Sequence, residues 1–223
     1  MPFSHIVFDL DETLYDRRTG LMDEISRRIT LWLQERLSLS PQEANEVRQR
    51  YVHLYGTTLA GLQAERPSEV DVEEYLAFVH DVPVEAYLRP DPALASMLAG
   101  IPLRRAVFTN ANVEHALRVL RVLGVAHLFD AIVDIRALGM CPKPWPEAYR
   151  RMLEILGVSG PACILVEDRA VNLQPAKRFG ITTVLVDGEP EDGVDFTVRH
   201  ILEVGPLVRR LLTEDVPRGT SAP

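Results

Sequence analysis

Two cysteines, Cys141 and Cys163, are all that the 223 residues contain, too few for a disulfide framework. Cys163 sits within the apolar run Ala162-Cys163-Ile164-Leu165-Val166 and reads as a core residue. Cys141 lies in a loop without the histidine and orienting partner that a nucleophilic thiol needs. No apolar run approaches membrane-spanning length, so no membrane contact is expected. The first residues run straight into strand-like sequence, with no basic segment ahead of an apolar stretch, so no signal peptide is expected either. A surplus of positive charge is also missing. The 24 Lys and Arg against 32 Asp and Glu leave a net charge of −8, which argues against a nucleic-acid polymer or an anionic membrane surface as partner. A small anion is still allowed where a metal ion, a lysine or helix N-termini supply local positive charge. The expectation is a cytoplasmic protein acting on a small molecule.

What is present is an ordinary globular composition, 47% hydrophobic and 25% charged, in a chain long enough for a core domain carrying a smaller one. Five runs rich in β-branched or aromatic residues read as buried strands: His5–Asp9, Arg105–Thr109, Ala131–Ile135, Cys163–Glu167 and Thr182–Val186. Helical patterns separate the later ones, with Asn112 capping a helix to Leu123, a second over Pro146–Leu156 and a third over Pro175–Phe179. Strand and helix in alternation predict a doubly wound parallel α/β sheet. Residues 16–90 carry almost no strand signal. Leu21, Ile25, Ile29, Trp32, Leu33 and Leu37 recur at helical spacing, and Ser40-Pro41-Gln42-Glu43 is a capping box opening a second helix. Leu54, Tyr55, Leu59 and Leu62 suggest a third helix, and Val72, Tyr75, Leu76 and Val79 a fourth. The expected organisation is an α/β core over residues 1–15 and 91–212, an all-helical insert over 16–90, and a tail over 213–223 without structure.

Ligands of an open α/β sheet bind at the carboxyl ends of its strands. The first strand ends in Asp9-Leu10-Asp11-Glu12-Thr13, and residues two apart in an extended chain face the same side. Two carboxylates so placed repel unless a cation or a proton intervenes; the plainer reading is an acidic turn. The second strand ends in Thr109-Asn110-Ala111-Asn112, which offers either caps or a phosphate cradle above a helix N-terminus. Lys143 follows the third strand between Pro142 and Pro144, in a stiff loop that suits neutralisation of a phosphoryl group. Glu167-Asp168 closes the fourth strand and supplies either first-turn acids or hard oxygen ligands for Mg²⁺.

Asp9-x-Asp11-x-Thr13, Thr109, Lys143 with Pro144, and Glu167-Asp168 resemble, in order, the four motifs of the haloacid dehalogenase superfamily of phosphohydrolases. The resemblance covers nearly the whole chain, and the helical insert resembles that superfamily's first type of cap. It implies a phosphomonoesterase in which Asp9 attacks phosphorus, Asp11 acts as general acid and then base, and Thr109 and Lys143 hold the phosphoryl oxygens. It also implies Mg²⁺ held by Asp9, the main chain at Asp11, and Asp168, with Glu167 acting through water. Such chemistry requires Asp11 to hold a proton when the leaving group departs, so its pKa is expected to be raised, an effect that nearby Mg²⁺ opposes.

Asp9–Tyr15 and Tyr55-Gly56-Thr57-Thr58-Leu59-Ala60-Gly61-Leu62 are similar to the pyrimidine 5′-nucleotidase branch. That implies a nucleoside monophosphate, UMP or CMP, as partner, with Tyr55, Thr57 and Thr58 touching the substrate. The segment reads equally as an interhelical turn with Tyr55 in the core of the insert, and Asn110 touches the substrate if the second strand end is a phosphate cradle. Glu167 and Arg169 stand where that branch has Asp and Ser. A sugar phosphatase or phosphomutase on the same scaffold is the alternative, and a non-catalytic binding module is disfavoured because no motif position is missing.

Overall fold

The computed structural model describes residues 3–213. Apart from Thr213, the tail expected from 213 onward lies outside the described residues. Six parallel strands form one sheet in the order β3-β2-β1-β4-β5-β6. They are β1 (His5–Phe8), β2 (Arg104–Phe108), β3 (Ala131–Val133), β4 (Cys163–Glu167), β5 (Thr182–Val186) and β6 (Phe196–Val198). The helices are α1 (Leu21–Leu37), α2 (Pro41–Tyr55), α3 (Thr58–Glu65), α4 (Val72–Val79), α5 (Val84–Tyr87), α6 (Pro92–Ala99), α7 (Val113–Val122), α8 (Pro146–Leu156), α9 (Ala170–Leu173) and α10 (Val204–Thr213). Among the described residues no helix is long and apolar enough to cross a membrane.

The sheet is buried on both faces, as continuous apolar strands require. Ile6, Phe8, Val107, Ile164 and Val166 face one apolar cluster, and Val7, Ala106, Phe108 and Leu165 the other. The doubly wound parallel sheet is as expected, with β6 in addition. The third strand is shorter than its β-branched run suggests. Asp134 leaves the ladder to accept hydrogen bonds from Val113 N and Ala137 N, and its departure ends β3 at Val133.

The expected all-helical insert follows β1. Trp32, Leu33, Tyr51, Leu62, Tyr75 and Leu76 close a third apolar cluster between α1, α2, α3 and α4. One buried member of that cluster, Ile135, comes from the segment after β3, and Met140 packs against it. Val82, Val84 and Leu88 instead pack with the residues of the sheet. The capping box at Ser40 forms, with Glu43 returning to the Ser40 N–H. Leu54 and Tyr55 end α2 instead of opening the third helix, because Gly56 breaks the chain at φ 84° and Thr57 caps α3. Gly56 is also where the helices meet the sheet's loops. A Cβ there would stand 2.7 Å from Lys143 O, so only glycine lets the two segments touch. Beside it, Trp145 Nε1 donates to Tyr55 O at 2.9 Å.

Candidate active site

Strand order reverses around β1, which has β2 on one side and β4 on the other. Such a switch point opens a crevice at the strands' carboxyl ends. Asp9 follows β1, Thr109 follows β2, Glu167 ends β4 and Asp168 follows it, so the sheet itself converges these groups. Lys143 reaches them from the loop ahead of α8. Its side chain is 1% exposed, with Nζ 2.6 Å from Asp9 Oδ1, 2.7 Å from Glu167 Oε2 and 5.0 Å from the Phe108 ring centroid. Both carboxylates raise the pKa of Lys143 against the effect of burial, so it stays charged.

The carboxylates outnumber the cations beside them: apart from Lys143, the half-exposed Arg17 guanidinium comes within 3.7 Å of Asp168 Oδ2. Asp9, Glu167 and Asp168 are all buried, with ligand oxygens within 4.8 Å of one another. The Thr13 hydroxyl lies 3.1 Å from Asp9 Oδ2 and 3.2 Å from Asp168 Oδ1, with one proton to share between them. Burial and the neighbouring Glu167 charge push Asp9 up to about 7, despite Lys143. Burial likewise raises Glu167 and Asp168. A buried site that drives three carboxylates toward protonation is short of positive charge.

Asp11 stands apart from that cluster. Its Oδ1 accepts from Tyr15 OH at 2.7 Å and lies 2.8 Å from His115 Nε2. Burial alone would raise its pKa, but His115 and the Tyr15 hydroxyl together hold it below the usual carboxylate range. The raised pKa expected from the sequence is therefore corrected: the Asp11 carboxyl is kept ionised by donors that the motif does not contain. His115 is fully buried on α7, and the His80 ring covers it at 4.8 Å between centroids. Burial and His115 push His80 down to about 3, so the covering ring is neutral.

Asp9, Asp11, Thr109, Asn110, Lys143, Glu167 and Asp168 line one cavity of about 380 Å³, with Thr57 and Thr58 on its helical wall. Thr109 Oγ1 accepts from Ala111 N at 3.0 Å. Asn110 was expected at the substrate, yet its amide is spent on the Lys143 main chain. It accepts from Lys143 N at 2.8 Å and donates to Lys143 O at 3.1 Å, which fixes the lysine loop. Thr57 caps α3 through Ala60 N. Tyr55 does not line the cavity. Its hydroxyl donates to Glu65 Oε1 at 3.0 Å and its ring packs edge-on against Tyr51, because it lies on the face of α2 turned toward α3.

His115 and His80 carry no signal in the sequence, and Tyr15 enters it only as the end of the Asp9–Tyr15 segment. His115 sits between Glu114 and Ala116 in an amphipathic helix, where a lone histidine reads as a core residue.

The model of the haloacid dehalogenase-like hydrolases, a hydrolase family, matches residues 3–180. The chain belongs to that family. Over 193 residues, 80% of this chain, it is 28% identical to phosphate metabolism protein 8 of Saccharomyces cerevisiae, and it spans 60% of that protein's length. It is 29% identical over 225 residues to phosphatase MT3486 of Mycobacterium tuberculosis, covering 93% of this chain and 98% of the relative. Its fold is similar to that of the L-2-haloacid dehalogenase of Xanthobacter autotrophicus, with a TM-score of 0.59 and 22% identity, covering 93% and 98% of the two chains. Family membership makes it an enzyme, a hydrolase. The family includes both phosphatases and dehalogenases.

If His115 positions Asp11, His115→Leu should slow hydrolysis of an alkyl phosphate, within the roughly 10²–10⁴-fold that acid–base groups supply. The loss should be much smaller for 4-nitrophenyl phosphate, whose leaving group departs without a proton. Equal losses on the two substrates would mean that His115 is only a packing residue.

Proposed function

We propose that this hydrolase is a Mg²⁺-dependent phosphomonoesterase working through an aspartyl-phosphate on Asp9. The observation that carries the reading is the group of buried carboxylates, Asp9, Glu167 and Asp168, with a single buried ammonium among them and the solvent-facing Arg17 at the edge of Asp168. Dehalogenation needs a carboxylate nucleophile but no surplus of acids around it. The three carboxylates are hard oxygen donors in a charge-poor pocket, and this set suits Mg²⁺. Asp9 and Asp168 would hold the ion, with Glu167 acting through water and the Asp11 main chain completing the set. When bound, it would neutralise charge on the phosphoryl oxygens.

An Asp9 carboxylate oxygen attacks phosphorus and the P–O bond to the leaving alcohol breaks, giving the acyl phosphate. Lys143 and Thr109 face the equatorial oxygens, where charge stabilisation matters most in phosphoryl transfer. Asp11 has Oδ1 fixed by Tyr15 and His115, while its Oδ2 accepts no hydrogen bond among the described residues. The ionised Asp11 first takes a proton on that oxygen, from the bound phosphomonoester's own P–OH group or from water, and passes it to the departing alkoxide. It then takes one from the water that hydrolyses the acyl phosphate, which returns Asp9 and releases phosphate.

The substrate is a small phosphorylated metabolite. A pyrimidine 5′-nucleotide, UMP or CMP, is the finer reading, supported by Thr57 and Thr58 on the cavity wall and no longer by Tyr55. The cavity volume falls in the usual range for small-molecule sites. The test is a panel of phosphomonoesters read by released phosphate. EDTA should abolish turnover and Mg²⁺ restore it, and UMP should exceed AMP and hexose phosphates in kcat/KM if the nucleotide reading holds. Full turnover in metal-free buffer refutes the metal site. Comparable kcat/KM for UMP, AMP and a hexose phosphate removes the nucleotidase reading alone.

A further inference from the structure

The helical insert holds eight arginines between residues 17 and 66, and seven of them lie within 4.0 Å of a carboxylate. Arg17 has Asp168 and Asp187, Arg18 has Asp16, Arg27 has Glu24, and Arg28 has Asp81. Arg36 has Glu74, Arg50 has Glu65 and Arg66 has Glu69. Arg48 has none among the described residues. Its Nη2 donates to Asn45 Oδ1 at 3.1 Å, and its Nε is buried with no acceptor. This is the one insert arginine that lines the cavity holding Asp9 and Lys143.

A buried hydroxyl lies on the same wall. Thr58 is 3% exposed and its Oγ1 has no partner within hydrogen-bond distance, the Tyr75 hydroxyl being its polar neighbour in the cavity lining. Both groups line the cavity, and the insert contributes no acid to that lining; the acids there, Asp9, Asp11, Glu12, Glu167 and Asp168, all belong to the sheet's loops. The rest of the helical wall is largely apolar, with Val52, Leu59, Leu76 and Val79. Arg48 is partly buried, and a guanidinium N–H buried without an acceptor is costly unless an anion completes it. The site therefore has two poles: the phosphoryl end at Lys143 and a second acceptor end at Arg48.

We propose that Arg48 and Thr58 bind a carboxylate at the far end of the substrate, so that the enzyme's substrates are phosphorylated organic acids. This rests on the phosphomonoesterase reading and names its substrate class. A carboxylate fits because a guanidinium takes it in a charge-assisted, planar arrangement and the Thr58 hydroxyl can donate a further bond. A pyrimidine ring offers only neutral carbonyl, ring-nitrogen and amino groups there, so Arg48 favours the charged acid over the base.

The test separates binding from turnover by using phosphonates, whose C–P bond the Asp9 mechanism does not break. Phosphonoacetate, 3-phosphonopropionate and 4-phosphonobutyrate are titrated calorimetrically into the Mg²⁺-loaded enzyme beside alkylphosphonates of matched length. At least one acid should bind about tenfold or more tighter than its alkyl match, since a charge-assisted hydrogen bond supplies that factor. Arg48→Met should remove the advantage, Thr58→Val should reduce it, and Arg48→Lys should retain part of it, with helix content unchanged by circular dichroism. If phosphomonoesters are hydrolysed but no acid is preferred, or if Arg48→Met keeps the preference, the carboxylate site is wrong while the phosphatase reading stands. If no phosphomonoester is hydrolysed and no phosphonate binds, both fail together.

Discussion

Asp9→Asn should abolish phosphate release and leave a folded protein. The change removes the attacking oxygen's charge but keeps the shape, and Lys143 retains Glu167 at 2.7 Å as an ion-pair partner. Burial already pushes Asp9 up to about 7, so the carboxylate is a strained occupant of its site. Its neutral isostere should therefore unfold at the same or a higher temperature than the metal-free parent. The two readouts point in opposite directions, which separates loss of chemistry from loss of structure. Acid-quenched enzyme should carry covalent phosphate in the parent and none in the variant. A variant keeping more than about 1% of turnover would rule out the covalent route, since losing a nucleophile costs far more than that.

Lys143→Met should be destabilising as well as inactive. It leaves Asp9 and Glu167 in a site that is almost fully buried, with no protein cation within reach among the described residues. Removing one partner of a buried pair costs about 3–5 kcal/mol, measurable by chemical denaturation in metal-free buffer. The loss should depend on pH in a definite direction. A carboxyl whose folded pKa is raised binds more protons folded than unfolded, so its burial penalty is absent at low pH and grows as pH rises toward 7. The gap between Lys143→Met and the parent should widen from pH 5 to pH 8, and added Mg²⁺ should narrow it at the upper end. A loss below about 1 kcal/mol at pH 8 would mean that the carboxylates are far better solvated than their burial implies.

The parallel sheet was legible because apolar runs of about five residues separated by capped helices have few other solutions. β6 escaped notice since Phe196–Val198 is three residues long, too short to carry a period. The acidic, hydroxyl and lysine groups of the four motifs could be read from their places after strands, where chain order alone brings them together. His115 and Arg48 could not. Each lies within a helix whose neighbours look like any amphipathic surface, and each matters through a contact, or the lack of one, made more than a helix away. Tyr55 shows the converse. An aromatic next to Gly-Thr-Thr suggests a ligand, but helix phase turned it toward Glu65 instead.

Ile135 lies between the two halves of the molecule. It leaves the sheet just after β3 yet is buried in the apolar cluster of the helices, with Met140 packed beside it. A chimera that exchanges α1–α4 for another helical unit would strand that side chain. The graft would either hold a hole where Ile135 now fits, at about 2–5 kcal/mol for a lost aliphatic side chain, or leave the residue facing water. Transplanting substrate preference between relatives therefore means moving the segment from Ile135 to Met140 together with the helices, although the two are more than fifty residues apart in the chain.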